Sequence, residues 1–173
     1  MALILLRHTR PQGAEGTCYG RTDMQLDDSF AAEAARLAAE LPAVTRILSS
    51  PLSRCHRLAQ TIAGARGLAV DLDERLIEMD FGAWENKPWD AIPRDQLDAW
   101  MRDFLGARPH GGESVQQLYD RVGAALTDAA RGPVPALVVT HAGVIKAAKT
   151  ARGDEGGWQS EIGFGGWVQV AWA

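Results

Sequence analysis

Three short segments carry residues of the types that phosphoryl chemistry uses: Arg7-His8, Ser50-Pro51-Leu52-Ser53-Arg54 and Thr140-His141-Ala142-Gly143. A guanidinium presents a planar fork that matches phosphate oxygens and stays charged at any working pH. A neutral imidazole is a competent nucleophile at phosphorus, and nearby guanidinium groups disfavour its protonation. The remaining need is a proton donor for the leaving oxygen, which a carboxylic acid supplies. Each segment taken singly also has a plainer reading, as a surface pair or a structural histidine. Metal ligation by His8 and His141 is a further alternative. No histidine pair at i, i+4 and no neighbouring carboxylate cluster supports it, so no metal and no cofactor are expected.

The elements that must position these residues follow from pattern. Ala2 to Leu6 is a continuous apolar run and reads as a strand buried on both faces of a parallel sheet. Phe30 to Leu41 is helical, stopped by Pro42. Thr45 to Leu48 is a short strand running into Ser49-Ser50-Pro51, where a serine cap and a first-turn proline predict a helix reaching Gly64 or Gly67. The start of that helix is expected to add N–H donors to an anion site. Leu68 to Leu72 is a third strand and Arg94 to Leu105 a helix. Glu113-Ser114 opens a helix whose Val115, Leu118, Val122 and Leu126 form one apolar stripe. Ala136 to Val139 is a fourth strand, a helix starts at Val144, and Trp167 to Trp172 closes the sheet.

This alternation predicts an α/β fold, a three-layer sandwich with a mostly parallel central sheet and helices on both faces. His8, Arg54 and His141 each follow a separate predicted strand. Open α/β sheets bind ligands beyond the carboxyl ends of their strands, so these residues and Arg7 are expected on one rim.

The 173 residues, with 18 basic and 22 acidic side chains, suit a single unit over 1–173. A net charge of −4 argues against nucleic acid or a polybasic membrane contact as partner. No apolar run reaches the roughly 20 residues that span a bilayer, and the run before Arg7 is too short for a signal-peptide core. Cys18 and Cys55 suit a reducing compartment, and a cytoplasmic monomer or homodimer is the expectation.

Leu5-Leu6-Arg7-His8-Thr9-Arg10-Pro11 resembles the N-terminal motif of the histidine phosphatase superfamily, the phosphoglycerate-mutase-like fold. The resemblance extends from residue 3 to about residue 145. It implies that His8 is the nucleophile that becomes phosphorylated, with Arg7, Arg54 and His141 as its phosphate-pocket partners. It also implies that Glu78 is the proton donor, while spacing alone leaves Glu74, Asp80 and Glu85 open. Gly112-Glu113-Ser114 is similar to the turn before a helix in which Ser114 touches substrate, although Glu113 also suits a plain helix-start carboxylate. Thr9 stands where a glycine is common, and Arg10-Pro11 replaces the usual Glu-Thr pair. Those departures bear on substrate choice more than on the chemistry.

Cys18-Tyr19-Gly20-Arg21-Thr22-Asp23 looks most like the short bacterial enzymes similar to α-ribazole phosphatase, which act in cobalamin assembly. The implied substrate is a small phosphate ester such as α-ribazole 5′-phosphate, with Tyr19, Gly20 and Arg21 at the pocket mouth. Trp84, Trp89 and Trp100 are candidates for stacking on a flat base or for the core. A phosphoglycerate mutase or a broad-specificity phosphatase is the runner-up. A non-catalytic phospho-ligand-binding protein is the alternative of another class.

Overall fold

The computed structural model describes residues 2–173. Its central sheet is built from β1 (Ala2–Arg7), β3 (Arg46–Ser49), β4 (Val70–Leu72), β6 (Ala136–Thr140) and β7 (Trp167–Ala171), in the order β4-β3-β6-β1-β7. All neighbours run parallel except β7, which pairs antiparallel with β1. A separate two-stranded ladder joins β2 (Thr17–Cys18) to β5 (Lys87–Pro88), a pairing too short to leave a sequence pattern.

The sheet is covered on both sides, as expected. Leu3 and Leu5 of β1, with Val138 of β6, pack against α4 (Val115–Arg131) and α5 (Ala142–Ala151). Ile4, Leu6 and Val139 turn to the other face, against α1 (Phe30–Glu40) and α2 (Ser53–Arg66). A strand buried on both faces has no polar side to display, which is why β1 reads as an unbroken apolar run. The α4 stripe of Val115, Leu118, Val122 and Leu126 is wholly buried. α3 (Arg94–Arg102) completes the helices.

Several boundaries differ from expectation. α3 stops at Arg102 rather than Leu105 because Asp103 caps a turn, its carboxylate accepting from Gly106 N. β4 begins at Val70 because Leu68 N still donates to Ala63 O beyond the left-handed Gly67. α5 starts two residues early, with His141 as its N-cap.

The expected serine cap of α2 is overturned. Leu52 is the N-cap, with no side-chain bond of its own, and the capping carboxylate is Asp23 from a distant loop. Asp23 accepts from Ser53 N at 2.9 Å and from Ser53 Oγ at 2.6 Å. The expected N–H donation at this helix start is therefore corrected at Ser53, whose N–H is taken by a carboxylate within the protein.

The register places the rim. Arg7 is paired with Thr140 and Ser49 with Val139, and the ladder extends one residue further through His8 N to Thr140 O and Ser50 N to Val139 O. His8, Ser50 and His141 therefore leave three adjacent strands at the same level.

Candidate active site

His8 is 2 % exposed, and its ring is held from both sides. Nδ1 lies 2.7 Å from Thr9 O. A carbonyl only accepts, so Nδ1 carries the proton and Nε2 is left with its lone pair. Arg54 Nε donates to that nitrogen at 3.3 Å. Burial, followed by the Arg54 charge, holds the His8 pKa well below the ordinary 6.5, with the Thr9 bond opposing and Arg7 reinforcing the shift. The ring is thus an uncharged imidazole whose Nε2 lone pair accepts from Arg54.

Arg54 is fully buried, and the loop after β2 fixes it. Its Nη1 donates to Thr22 O and its Nη2 to Gly20 O, each at 2.6 Å. Tyr19 lies against the same guanidinium, which sits 5.2 Å from the ring centroid. Arg7 is held by a different part of the chain, the loop before β7. Its Nη1 donates to Ile162 O at 2.6 Å, its guanidinium lies 3.9 Å from the Phe164 ring centroid, and Nε has no hydrogen-bond partner among the described residues.

His141 sits edge-on to His8, with ring centroids 5.2 Å apart. Its Nε2 lies 2.9 Å from Ser50 Oγ and 3.4 Å from Cys55 Sγ. Burial lowers its pKa well below 6.5, aided by Arg54 and by His8. Ser50, a helix cap by sequence pattern, is instead the partner of this second histidine.

Glu78 lines the same cavity as His8. Its Oε1 accepts from Met79 N at 2.9 Å and its Oε2 from Gly143 N at 3.0 Å. The segment behind it is clamped by Arg121, which donates to the carbonyls of Arg75, Ile77 and Glu78 and pairs with Glu113 at 2.6 Å. The other carboxylates are employed elsewhere. Glu85 accepts from Gly20 N, Arg21 N and Thr22 Oγ1, organising the loop that holds Arg54. Asp80 accepts from Gly82 N, and Glu74 is exposed at the start of a short turn.

Arg7, His8 and Glu78 line one cavity of about 390 Å³, together with Tyr19, Phe81, Trp89, Trp100, Lys146, Trp158 and Phe164. Arg54 and His141 stand behind His8 rather than on this wall. Gly20 is confined to backbone roles, and a side chain there would strike Met79 O. Arg21 is exposed and lines a separate polar hollow with Asp80 and Arg108. Ser114 caps α4 reciprocally with Gln117 and does not reach the cavity. Trp84 is core, its indole N–H donating to Gln96, whereas Trp89 and Trp100 do reach the cavity. Sequence reasoning misses Lys146, Trp158 and Phe164. The i, i+4 step from Ala142 to Lys146 on α5 is the one signal that places Lys146 beside the rim.

The chain is similar to known proteins in sequence and in fold. Residues 3–157 match the model of the histidine phosphatase superfamily (branch 1). A probable phosphoglycerate mutase, GpmB of Salmonella choleraesuis, is 33% identical over 150 residues, covering 82% of this chain and 69% of its own. The crystal structure of TTHB049 from Thermus thermophilus superposes with a TM-score of 0.81 at 34% identity, over 99% of this chain and 94% of that one. The α-ribazole phosphatase of Shigella flexneri superposes with a TM-score of 0.84 at 27% identity, over 99% and 90%. With a family model matched over residues 3–157 and a relative 33% identical across 82% of it, the chain belongs to the histidine phosphatase superfamily.

Proposed function

We propose that this protein hydrolyses phosphate monoesters through a phosphohistidine on His8. The observation that carries the reading is the state of the His8 ring, with Nδ1–H on Thr9 O and an unprotonated Nε2 facing Arg54. Nε2 attacks phosphorus, the P–O bond to the alcohol breaks, and Glu78 as its carboxylic acid gives the departing oxygen a proton. Arg7 neutralises the phosphoryl oxygens from the cavity side. Arg54 and His141 meet them from behind, with Arg54 Nε turning from Nε2 to oxygen as the new bond forms. Water then attacks phosphorus, the P–Nε2 bond breaks, the Glu78 carboxylate takes a proton from the water, and orthophosphate leaves with Nε2 restored.

For substrate, the reading is a small phosphorylated metabolite such as α-ribazole 5′-phosphate, which would place the protein in cobalamin biosynthesis. The Shigella neighbour supports it. The second reading, a phosphoglycerate substrate, is favoured by the mutase-like relatives and by Lys146, a cation on the cavity wall that lies over the Trp158 ring. Among the described residues no helix is long and apolar enough to cross a membrane.

The test is a substrate pulse followed by a mildly alkaline quench and mass spectrometry, which should find phosphate on His8. Near-normal turnover by His8→Ala sinks the mechanism. The absence of any turnover or labelling in the unaltered protein favours the non-catalytic binding alternative. Comparing α-ribazole phosphate with 3-phosphoglycerate by kcat/KM decides the substrate, since discrimination between competing substrates resides in that ratio.

A further inference from the structure

The catalytic cavity does not end at Trp158. A second hollow of about 610 Å³ adjoins it, lined by Trp100, Phe104, Tyr119, Trp158, Met101 and Lys146 with two polar residues at its edge. Trp100, Lys146 and Trp158 belong to the walls of both. The volume is within the roughly 300–1,000 Å³ range of small-molecule sites.

The rings pack on one another at tilted and edge-on angles and so form one continuous aromatic wall. The Trp100 and Phe104 centroids are 5.3 Å apart, Phe104 and Trp158 5.0 Å, and Tyr119 and Trp158 6.1 Å. Trp100 is buried and Phe104, Tyr119 and Trp158 are half-buried against the core, while Met101 beside them is 63 % exposed. The separate hollow that Arg21 lines with Asp80 and Arg108 is polar and charged and shares no lining residue with the catalytic cavity.

We propose that this aromatic hollow is the leaving-group subsite, and that the preferred substrates are phosphate monoesters whose alcohol carries a flat aromatic or heteroaromatic ring. The inference rests on the phosphatase reading and deepens it. Phosphate at His8 and ring against Trp158 would span the two hollows, with Lys146 flanking the passage. The ring is thus directed toward α5 and the turn at residues 157–159, away from the Tyr19–Arg21 loop expected from sequence. Stacking of this kind is sequence-tolerant among ring systems but demands a planar face.

The experiment compares propyl, 3-phenylpropyl and 3-cyclohexylpropyl phosphate. Their leaving oxygens are chemically alike, so differences report the remote group. The expected result is a kcat/KM for the phenyl ester at least about tenfold above propyl and clearly above cyclohexyl. Trp158→Leu, which keeps bulk but removes the flat face, should collapse the phenyl-to-propyl ratio toward unity, and Phe104→Leu should lower it. Equal rates for phenyl and cyclohexyl esters, or a ratio untouched by Trp158→Leu, overturns the subsite while leaving the phosphatase reading intact. If none of the three esters, nor p-nitrophenyl phosphate, is hydrolysed, the phosphatase reading fails and the subsite falls with it.

Discussion

Gly143 and Glu78 are matched to one another: Gly143 N donates to Glu78 Oε2 at 3.0 Å, and a methyl group at 143 would collide with Glu78 Oε1. The first turn of α5 thus both holds the carboxylate and depends on having no side chain to exclude it. Since the struck atom is the end of a flexible side chain, Gly143→Ala should fold normally and displace the acid. Its kinetic signature should copy that of Glu78→Gln. Both should slow an alkyl phosphate by about 10²–10⁴-fold, the span typical of general acid catalysis. p-Nitrophenyl phosphate, whose leaving group hardly needs a proton, should be slowed far less. Equal slowing of both esters by both variants would move the acid to another residue, Asp80 first.

Arg121 supports the same carboxylate from the main chain. Its Nη1 bonds to Arg75 O and Ile77 O at 2.7 and 2.6 Å, and its Nη2 to Glu78 O at 3.1 Å. The paired Glu113 is 10 % exposed, so removing Arg121 leaves a nearly buried charge and three carbonyls unpaired. Arg121→Leu should cost about 3 kcal/mol in a urea titration. Arg121→Lys keeps the charge but loses the fork, and should recover part of that loss while still slowing alkyl esters more than p-nitrophenyl phosphate. A uniform effect on both esters would reduce Arg121 to a stabilising role.

Much of this site is legible in the amino-acid sequence because its residues lie next to strong local patterns. β1 and β6 are unbroken apolar runs, and the residues directly after them are His8 and His141. Parallel register alone then brings the two together. What is not legible depends on contacts between distant segments. Asp23 caps a helix that begins thirty residues later, and Ser50 has the pattern of that cap while its hydroxyl belongs to His141. Glu85 rivals Glu78 as the acid on spacing alone, and only its bonds to Gly20, Arg21 and Thr22 reveal that it braces a loop. Phe164 lies in a loop and Trp158 in a single 3-10 turn over Gly157–Gln159, too short for any periodicity to mark which face meets the cavity.

Turnover should be independent of divalent metal. The cavity and the wall behind it carry Arg7, Arg54 and Lys146, which supply positive charge to a phosphoryl group directly. Among the described residues no group of three or more His, Cys, Asp or Glu side chains is placed to hold an ion. Activity after dialysis against EDTA should match the untreated rate. A loss restored by zinc, magnesium or manganese would reinstate His8 and His141 as ligands.

Acid should act on the buried histidines through stability before it silences the nucleophile. His8 and His141 both have pKa values held well below 6.5, chiefly by burial and then by Arg54. In the unfolded chain each takes up a proton near 6.5, whereas in the native state each resists until much lower pH. The unfolded state therefore binds more protons throughout that window, and stability falls as pH falls through it. Each histidine contributes a slope of up to about 1.4 kcal/mol per pH unit. Above 6.5 both contributions are fully in place. Urea titrations between pH 7.5 and 5 should show this decline, and His141→Gln, which can still bond to Ser50, should make it shallower. The comparison between variant and parent removes the carboxylates from the account, since both chains carry the same set. In kinetics the His8 ring stays neutral across the same range, so the acid limb of kcat/KM should lie below 6.5. Parallel stability profiles, or an acid limb centred on 6.5, would show that these rings titrate as ordinary solvent-exposed histidines.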